Sequence, residues 1–138
     1  MLPCRSAFKA APSICRRRGD RLALRVAIAG IRVSVLLALT TVPDPEAAER
    51  IARVLVEERL AGCVSRMPDV HSTYRWQGTL HDEPEVLLLI KTTAARFDEL
   101  KARLSSLHPH DVPELLAVPV CGGLDRYLGW IEAETARQ

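Results

Sequence analysis

Two short segments of the chain are almost continuously apolar. The first, VSVLLAL, covers residues 33–39, and the second, VLLLI, covers residues 86–90. A short apolar run bounded by turn-forming residues is typical of a strand that is buried on both faces of a sheet. We therefore predict a central strand in each of these two segments.

The segment after the first apolar run predicts a helix. Asp44 can cap it, Pro45 suits its first position, and Gly62 is the expected C-terminal stop. Its apolar stripe consists of Ala47, Ala48, Ile51, Val54 and Leu55.

Two further helices are predicted in the second half of the chain. Thr93 can cap a helix from residue 94 to about residue 107. Its apolar face, at spacings of 3, 4 and 3, consists of Phe97, Leu100, Leu104 and Leu107. A last helix runs from residue 124 to about residue 135, with one side formed by Tyr127, Trp130 and Ile131.

The remaining strands complete a recognisable order. Residues 64–76 form a strand interrupted near Pro68, Gln77-Gly78 forms a turn, and the chain returns through residues 80–91. A fourth strand covers residues 114–121 and contains Pro119. The order predicts an α+β fold: a ferredoxin-like split βαβ sandwich, βαββαβ plus a C-terminal helix. Because proline cannot donate to a central ladder, the two apolar runs should be central and the proline-containing strands should be edges.

This architecture has two consequences. Cys63 and Cys121 belong to opposite edge strands, which argues against a disulfide between them within one chain. A split βαβ sheet also leaves one face without helices, and a core of about 105 residues is marginal alone. We therefore expect the chain to oligomerise through that face.

The charge divides the chain into two parts. Residues 1–33 contain eight Arg or Lys and one acidic residue, a balance of +7, whereas residues 34–138 contain eleven and sixteen, a balance of −5. We interpret residues 1–32 as a basic extension that is disordered, a targeting segment or an over-long start, and residues 33–138 as one domain. The mildly acidic domain predicts no nucleic-acid partner. Arg25 and Arg32 interrupt the apolar stretch of the extension, so no membrane span is predicted.

The stretch LHPHDVPEL, residues 107–115, contains the main candidate metal ligands, His108 and His110. Copper and zinc favour imidazole, and neighbouring carboxylates could assist. The alternative is a connection between a helix and a strand, because Pro109 forces His108 out of helical conformation. His71 and His81 could face each other across the hairpin, and Cys63 has no base near it in sequence.

A second set of candidates concerns a cleft between subunits. Lys91 ends one buried strand and Glu114 begins another, so both are expected near sheet ends. Four of the six aromatic residues occur in YRWQG and YLGWI, and the candidates among them are Trp76 and Trp130. They can line a cleft with Lys91 and Glu114, or simply fill the core and the subunit interface. The chain has no nucleotide-binding glycine loop and no G-x-S-x-G motif, so we predict no enzymatic activity.

Five motifs, in register from about residue 33 to residue 133, resemble the divalent-cation tolerance protein family, CutA: TTVPDPEAAERIARVLVEERLAGCV, YRWQGTL, EVLLLIKTT, HPHDVPELLAVPV and YLGWI. The resemblance implies a ferredoxin-like, PII-like fold, a homotrimer and a role in tolerance of copper and other divalent cations. Where ligands are proposed in the family, they are a cysteine in the first-strand segment and two adjacent histidines at the end of the second helix. Those positions hold Thr40, Leu107 and His108 here, so only His108 carries over.

We therefore predict a trimeric protein of the CutA type that responds to divalent metal ions, requires no cofactor and binds copper or another divalent cation weakly through His108 and His110. The expected location is the cytoplasm, or an organelle if the extension is a targeting segment. The alternatives are a PII-like sensor of small molecules at inter-subunit clefts and a structural trimer that anchors a partner protein.

Overall fold

The two apolar runs form the central strands of a four-stranded antiparallel sheet. The computed structural model describes the backbone of Ala27–Ile28 and Ile31–Arg32 and all of residues 34–137. The described residues form six strands, β1 Ala27–Ile28, β2 Ile31–Arg32, β3 Val35–Val42, β4 Cys63–Trp76, β5 Thr79–Thr93 and β6 Leu116–Pro119. They also form three helices, α1 Pro45–Glu57, α2 Phe97–Leu107 and α3 Asp125–Glu134. Strands β1 and β2 pair only with each other, and most of the predicted N-terminal extension lies outside the described residues.

The strand order of the main sheet is β4-β5-β3-β6, which confirms the prediction from the prolines. Pro68 lies where the pairing of β4 with β5 shifts between Met67 and Val70, and Pro119 ends the edge strand β6. Strand β5 contains Pro84, but its pairing with β3 ends at Val86, so Pro84 needs no second neighbour.

Helix α1 begins as predicted and ends earlier than predicted. The Asp44 carboxylate accepts a hydrogen bond from the Ala47 amide at 2.7 Å, and Pro45 is the first helical residue. The helix ends at Glu57, and Arg59, with φ of 55°, takes the left-handed conformation that was expected of Gly62. Gly62 is required for space instead, since a Cβ atom there would lie 3.0 Å from Ile131 Cδ1.

The predicted start of the second helix is wrong by three residues. Thr93 is the last residue of β5, and α2 begins only after a turn in which the Arg96 amide donates to the Thr93 carbonyl at 3.0 Å. The Thr93 hydroxyl pairs with the Thr135 hydroxyl at 3.2 Å. Thr93 therefore connects the sheet to the end of α3 and does not cap a helix.

The fourth strand and the last helix are shorter than predicted. Strand β6 pairs only over Leu116–Pro119, so Glu114 and Cys121 flank it. Of the three residues predicted on one side of the last helix, Ile131 is buried, whereas Tyr127 and Trp130 are exposed. Cys63 and Cys121 are both free thiols, in agreement with their places at opposite edges of the sheet.

The core lies between one face of the sheet and the helices α1 and α2. The sheet contributes Ala38, Val42, Val86, Leu88 and Ile90, and the helices contribute Ala47, Ala48, Ile51, Leu55, Leu100 and Leu104. Alternation along the strands places the neighbouring residues on the opposite face. We call that opposite side the open face; it consists of Leu37, Leu39, Cys63, Ser65, Met67, Leu87, Leu89, Lys91, Leu116 and Val118. Helix α3 and its C-terminal cap Thr135 lie near one end of the open face, where the Thr135 hydroxyl meets Thr93 and Tyr127 is adjacent to Cys63.

Strands β4 and β5 continue past the end of β3 as a two-stranded arm. The arm runs from the pair Val70 and Glu85 to the pair Trp76 and Thr79. Its turn has positive φ at both central residues, 48° at Gln77 and 83° at Gly78, as a tight hairpin requires. Both sides of the arm are largely exposed, because no third strand or helix covers it.

Among residues 34–137, the longest helix has 13 residues, and none is long and apolar enough to cross a membrane.

Candidate functional site

His108 lies at the end of α2 and is fixed at both ring nitrogens. Its backbone is extended, which confirms that Pro109 follows the end of the helix. The Nε2 atom lies 2.8 Å from the carbonyl oxygen of Thr41 on β3, and the Nδ1 atom accepts the His110 amide at 3.1 Å. The side chain is buried, with 9% of its surface exposed. His108 therefore connects the α2–β6 segment to the end of the central strand β3.

These contacts specify the tautomer of His108. A carbonyl oxygen can only accept, so Nε2 carries the proton, and a backbone amide can only donate, so Nδ1 carries the lone pair. Burial lowers the pKa of His108, and the nearby His110 lowers it further, while the Thr41 carbonyl and the Glu85 carboxylate oppose the shift. The ring is therefore neutral at pH 7.

His110 is exposed, and its ring centroid lies 5.2 Å from that of His108. The two predicted ligands are thus neighbours. No third His, Cys, Asp or Glu in the described part of the chain joins them in a cluster that could hold an ion. Thr40, at the family's cysteine position, is fully buried, and its hydroxyl donates to the Glu114 carbonyl at 2.7 Å. Leu107 packs against the core.

Sequence reasoning missed Glu85 in this neighbourhood. Glu85 lies at the base of the arm and is only 8% exposed. Its charge raises the pKa of His108, although the two residues are distant in sequence. No spacing in the sequence links residue 85 to residue 108. Only the sheet register, which ends the β3–β5 pairing at Val86, brings them near each other.

Lys91 lies on the open face, among leucines. Its ammonium group donates to the Ser65 hydroxyl and to the Leu89 carbonyl, the latter at 3.3 Å. Its cross-strand neighbour is Cys63. Partial burial raises the pKa of Tyr127 on α3, and the adjacent Cys63 raises it further.

The four predicted cleft residues do not meet within one chain. Trp76 is near the tip of the arm, and Trp130 lies on α3 with its ring centroid 5.6 Å from that of Tyr127. Lys91 is level with Leu37 of β3, whereas Glu114 lies two residues before Leu116, which is level with Leu39. Lys91 and Glu114 therefore occupy opposite ends of the open face.

The histidines of the arm are also separated. His71 lies 3.5 Å from the Asp82 carboxylate, whereas His81 stacks on Tyr74 with centroids 5.2 Å apart. His71 pairs with Pro84 and His81 with Tyr74, three residues further along β4, so the two imidazoles project from opposite faces of the arm.

A groove of about 580 Å³ lies elsewhere, between the ends of the three helices. Its walls include Arg59, Arg96 and Glu99. The Arg96 guanidinium is already occupied by Glu99 at 2.7 Å and by the carbonyl of Arg59 at 3.3 Å. These contacts connect α1 to α2, and we interpret the groove as structural.

Comparison with known proteins agrees with this fold and these motifs. A profile of the CutA1 divalent ion tolerance protein family matches residues 36–134. The chain belongs to the CutA1 family. The divalent-cation tolerance protein CutA of Thermus thermophilus is 50% identical over 97 residues, which cover 70% of this chain and 94% of that protein. The chloroplastic protein CutA of Arabidopsis thaliana is 32% identical over 135 residues, covering 96% of this chain and 74% of that protein.

The CutA1 fold is also shown by solved structures. The crystal structure of CutA from Xylella fastidiosa is 48% identical, superposes with a TM-score of 0.73, and covers 75% of this chain and 99% of that one. The resemblance inferred from the five motifs is thereby confirmed. The family is named for divalent ion tolerance.

Proposed function

We propose that this CutA1 family member works as a homotrimer in the response to divalent metal ions, without a catalytic step. The observation that supports it best is the open face, whose leucines, Met67 and Val118 remain partly or largely exposed in the single chain. Leu116 and Val118 are 58% and 47% exposed, and Met67 is 45% exposed. A contiguous apolar surface of this kind marks an interaction site.

The arm supports assembly independently. It extends from the sheet with exposed Tyr74, Trp76 and Leu80. An isolated two-stranded hairpin is marginally stable in water, so a partner surface that packs against the arm would stabilise it. Three copies, rather than two, is what the family resemblance implies.

The metal contact that we propose is weak and uses the Nδ1 atom of His108 together with the ring of His110. Metal-binding histidines usually donate their other ring N–H to a carbonyl or carboxylate, and His108 donates to Thr41 in this way. The His110 amide occupies the Nδ1 lone pair, so an ion would have to displace that hydrogen bond. The competition, and the absence of a third ligand in the described chain, account for a low affinity.

The metal proposal is tested by thermal unfolding with and without cupric ion. We expect copper to raise the melting temperature of the wild type, and the double variant His108→Gln/His110→Ala to abolish that rise. Glutamine at residue 108 keeps an N–H donor for Thr41. His71→Ala is the matched control, because His71 is an exposed histidine on the arm. A double variant that responds to copper like the wild type would contradict the site.

A second candidate function is that of a PII-like sensor of small molecules at inter-subunit clefts. The observation that favours it is the aromatic pair of Tyr127 and Trp130, because Tyr127 is adjacent to Cys63, the cross-strand neighbour of Lys91 on the open face. Titration with a panel of metabolites should then change the fluorescence of Trp130 in a Trp76→Phe background. A flat response across the panel would count against this function.

The proposed location is the cytoplasm, with organelle import as the alternative. The alignment with the chloroplastic Arabidopsis relative covers 96% of this chain, which takes in most of residues 1–32. Imaging of the full chain, and of residues 33–138, each fused to a fluorescent protein, distinguishes the two locations.

A further inference from the structure

We infer that Lys91 of one copy forms an ion pair with Glu114 of the next copy across the open face. The inference rests on the proposed homotrimer, and it adds the residues that fix how neighbouring copies meet.

Lys91 is the only charged residue among the ten paired residues that define the open face, and Glu114 lies just beyond them, before β6. It is half-buried in the single chain, and its two hydrogen-bond acceptors, the Ser65 hydroxyl and the Leu89 carbonyl, are neutral. No carboxylate in the described part of the chain lies within ion-pair distance of its ammonium group. An ammonium group that becomes covered without an anion is strongly unfavourable. A copy that packs on the open face must therefore bring an anion to Lys91.

Glu114 carries the complementary charge at the opposite corner of the same face. It lies just before β6, where exposure alternates along the chain: Leu115 and Ala117 pack against the core, whereas Glu114, Leu116 and Val118 are exposed. This alternation assigns the Glu114 side chain to the row that contains Leu116 and Val118. Its carbonyl accepts from Thr40, but its carboxylate is exposed and makes no ion pair with the described residues.

Lys91 and Glu114 of the same chain are too far apart to pair. Four residues of β3 separate their levels, which is about 13 Å, and two strand spacings separate them across the sheet, which is about 10 Å. The combined separation is roughly 16 Å. A ring joins two different patches of neighbouring copies. A base at one corner and an acid at the other provide two such patches, and a second copy is the occupant that supplies both the apolar cover and the carboxylate.

A charge-exchange experiment on the full chain tests the pair. Lys91→Glu and Glu114→Lys are each expected to weaken assembly by about tenfold or more, because each places like charges together. The double variant Lys91→Glu/Glu114→Lys should recover most of the loss. Assembly is measured by sedimentation over a range of protein concentrations, with far-UV circular dichroism to verify folding. Lys101→Glu, an exposed reversal on α2, is the matched control and should assemble like the wild type.

A milder cycle covers the case in which a reversal disturbs folding. Lys91→Gln, Glu114→Gln and their double variant should show coupling, in that the second substitution costs less assembly once the first is present. If the wild type assembles but neither cycle shows coupling, the pair is wrong and the homotrimer stands. If Lys91→Glu alone weakens assembly and inorganic phosphate strengthens wild-type assembly, a bound anion replaces Glu114 and the pair is again wrong. A wild type that stays monomeric at every concentration overturns both proposals.

Discussion

The two faces of the same sheet differ in how their apolar residues are buried. Leu88 and Leu89 are adjacent in β5, yet Leu88 lies under α1 and α2 with no exposed surface, whereas Leu89 points to the open face and is only half-buried. The apolar run of residues 86–90 reads as one signal in the sequence. The fold divides it into a half that the helices of the same chain cover and a half that stays partly exposed in the single chain.

The difference explains why so small a domain can be apolar on both sides of its central strands. A chain of this size buries only about 60–70% of its unfolded surface when it folds alone. The helix-covered face supplies the core that holds the single chain together. The open face contributes its full hydrophobic stabilisation only when it is covered, so stability and assembly should be coupled.

Truncating Leu88 and Leu89 in turn tests most directly whether the two faces of the sheet contribute differently to stability. Leu88→Ala should lower the free energy of unfolding by about 2–5 kcal/mol at every protein concentration, because it leaves a cavity in a packed core. Leu89→Ala should have a smaller effect at low concentration and a larger one at high concentration, where assembly contributes. Urea unfolding at two protein concentrations measures both. Equal, concentration-independent losses would show that the two faces are not different in kind.

Sequence reasoning predicted the sheet because its signals are local and exclusive. Pro68 and Pro119 cannot serve a central ladder, and the two apolar runs cannot be edges, so the order followed from residue types alone. Asp44 followed by Pro45 was similarly specific, since a capping residue directly before a proline suits the start of a helix.

The errors arose where tertiary contacts decide between local options. Thr93 is a good capping residue, but it pairs with Thr135, which is distant in sequence. Glycine is the residue type that most often ends a helix, but Gly62 is required because its missing side chain leaves room for Ile131. At the candidate metal site, the sequence indicated His108 and His110, whereas the partners that fix His108, Thr41 and Glu85, lie on other strands.

The contact between Gly62 and Ile131 tests how closely α3 packs at the end of the open face. Gly62→Ala would place a Cβ atom 3.0 Å from Ile131 Cδ1 and 3.3 Å from its Cα atom, so we expect a loss of about 1–3 kcal/mol. Gly122→Ala is the matched control, because no atom lies within 4 Å of its added Cβ. Thermal unfolding of the two variants measures the difference. Similar melting temperatures would mean that α3 packs against Gly62 less tightly than the structure indicates.

A smaller effect is expected at the start of α1, on the helix-covered side. Asp44→Ala removes the acceptor of the Ala47 amide and should cost about 1 kcal/mol. Asp44→Asn keeps a capping oxygen and should cost little. Because the Asp44 side chain caps α1, which packs on the helix-covered face, both variants should assemble like the wild type in sedimentation. A change in assembly would show that the two faces are coupled through α1.

The smallest predicted effect is a pH dependence that originates at His108. Burial lowers the pKa of its ring in the folded chain, with His110 acting in the same direction and Glu85 against it. The unfolded chain therefore takes up a proton first as the pH falls below the ordinary histidine value of about 6.5. The stability that neutral His108 contributes is fully present above that value and is lost as the pH falls towards the pKa of the folded state. Protonation would also turn Nδ1 into a donor that faces the His110 amide, which breaks that hydrogen bond.

Urea unfolding between pH 7.5 and pH 5.5 should accordingly show a steeper loss of stability for the wild type than for His108→Gln. Glutamine does not titrate, and it can still donate to the Thr41 carbonyl. The two chains therefore keep the same hydrogen bond and differ in whether residue 108 can take up a proton. His71→Gln controls for an exposed histidine on the arm. Parallel pH profiles for the wild type and His108→Gln would mean that the buried ring does not resist protonation. The lone pair of Nδ1 would then be lost to protons in mild acid as readily as that of a surface histidine, and the copper binding proposed for this site would be expected to weaken at a correspondingly higher pH.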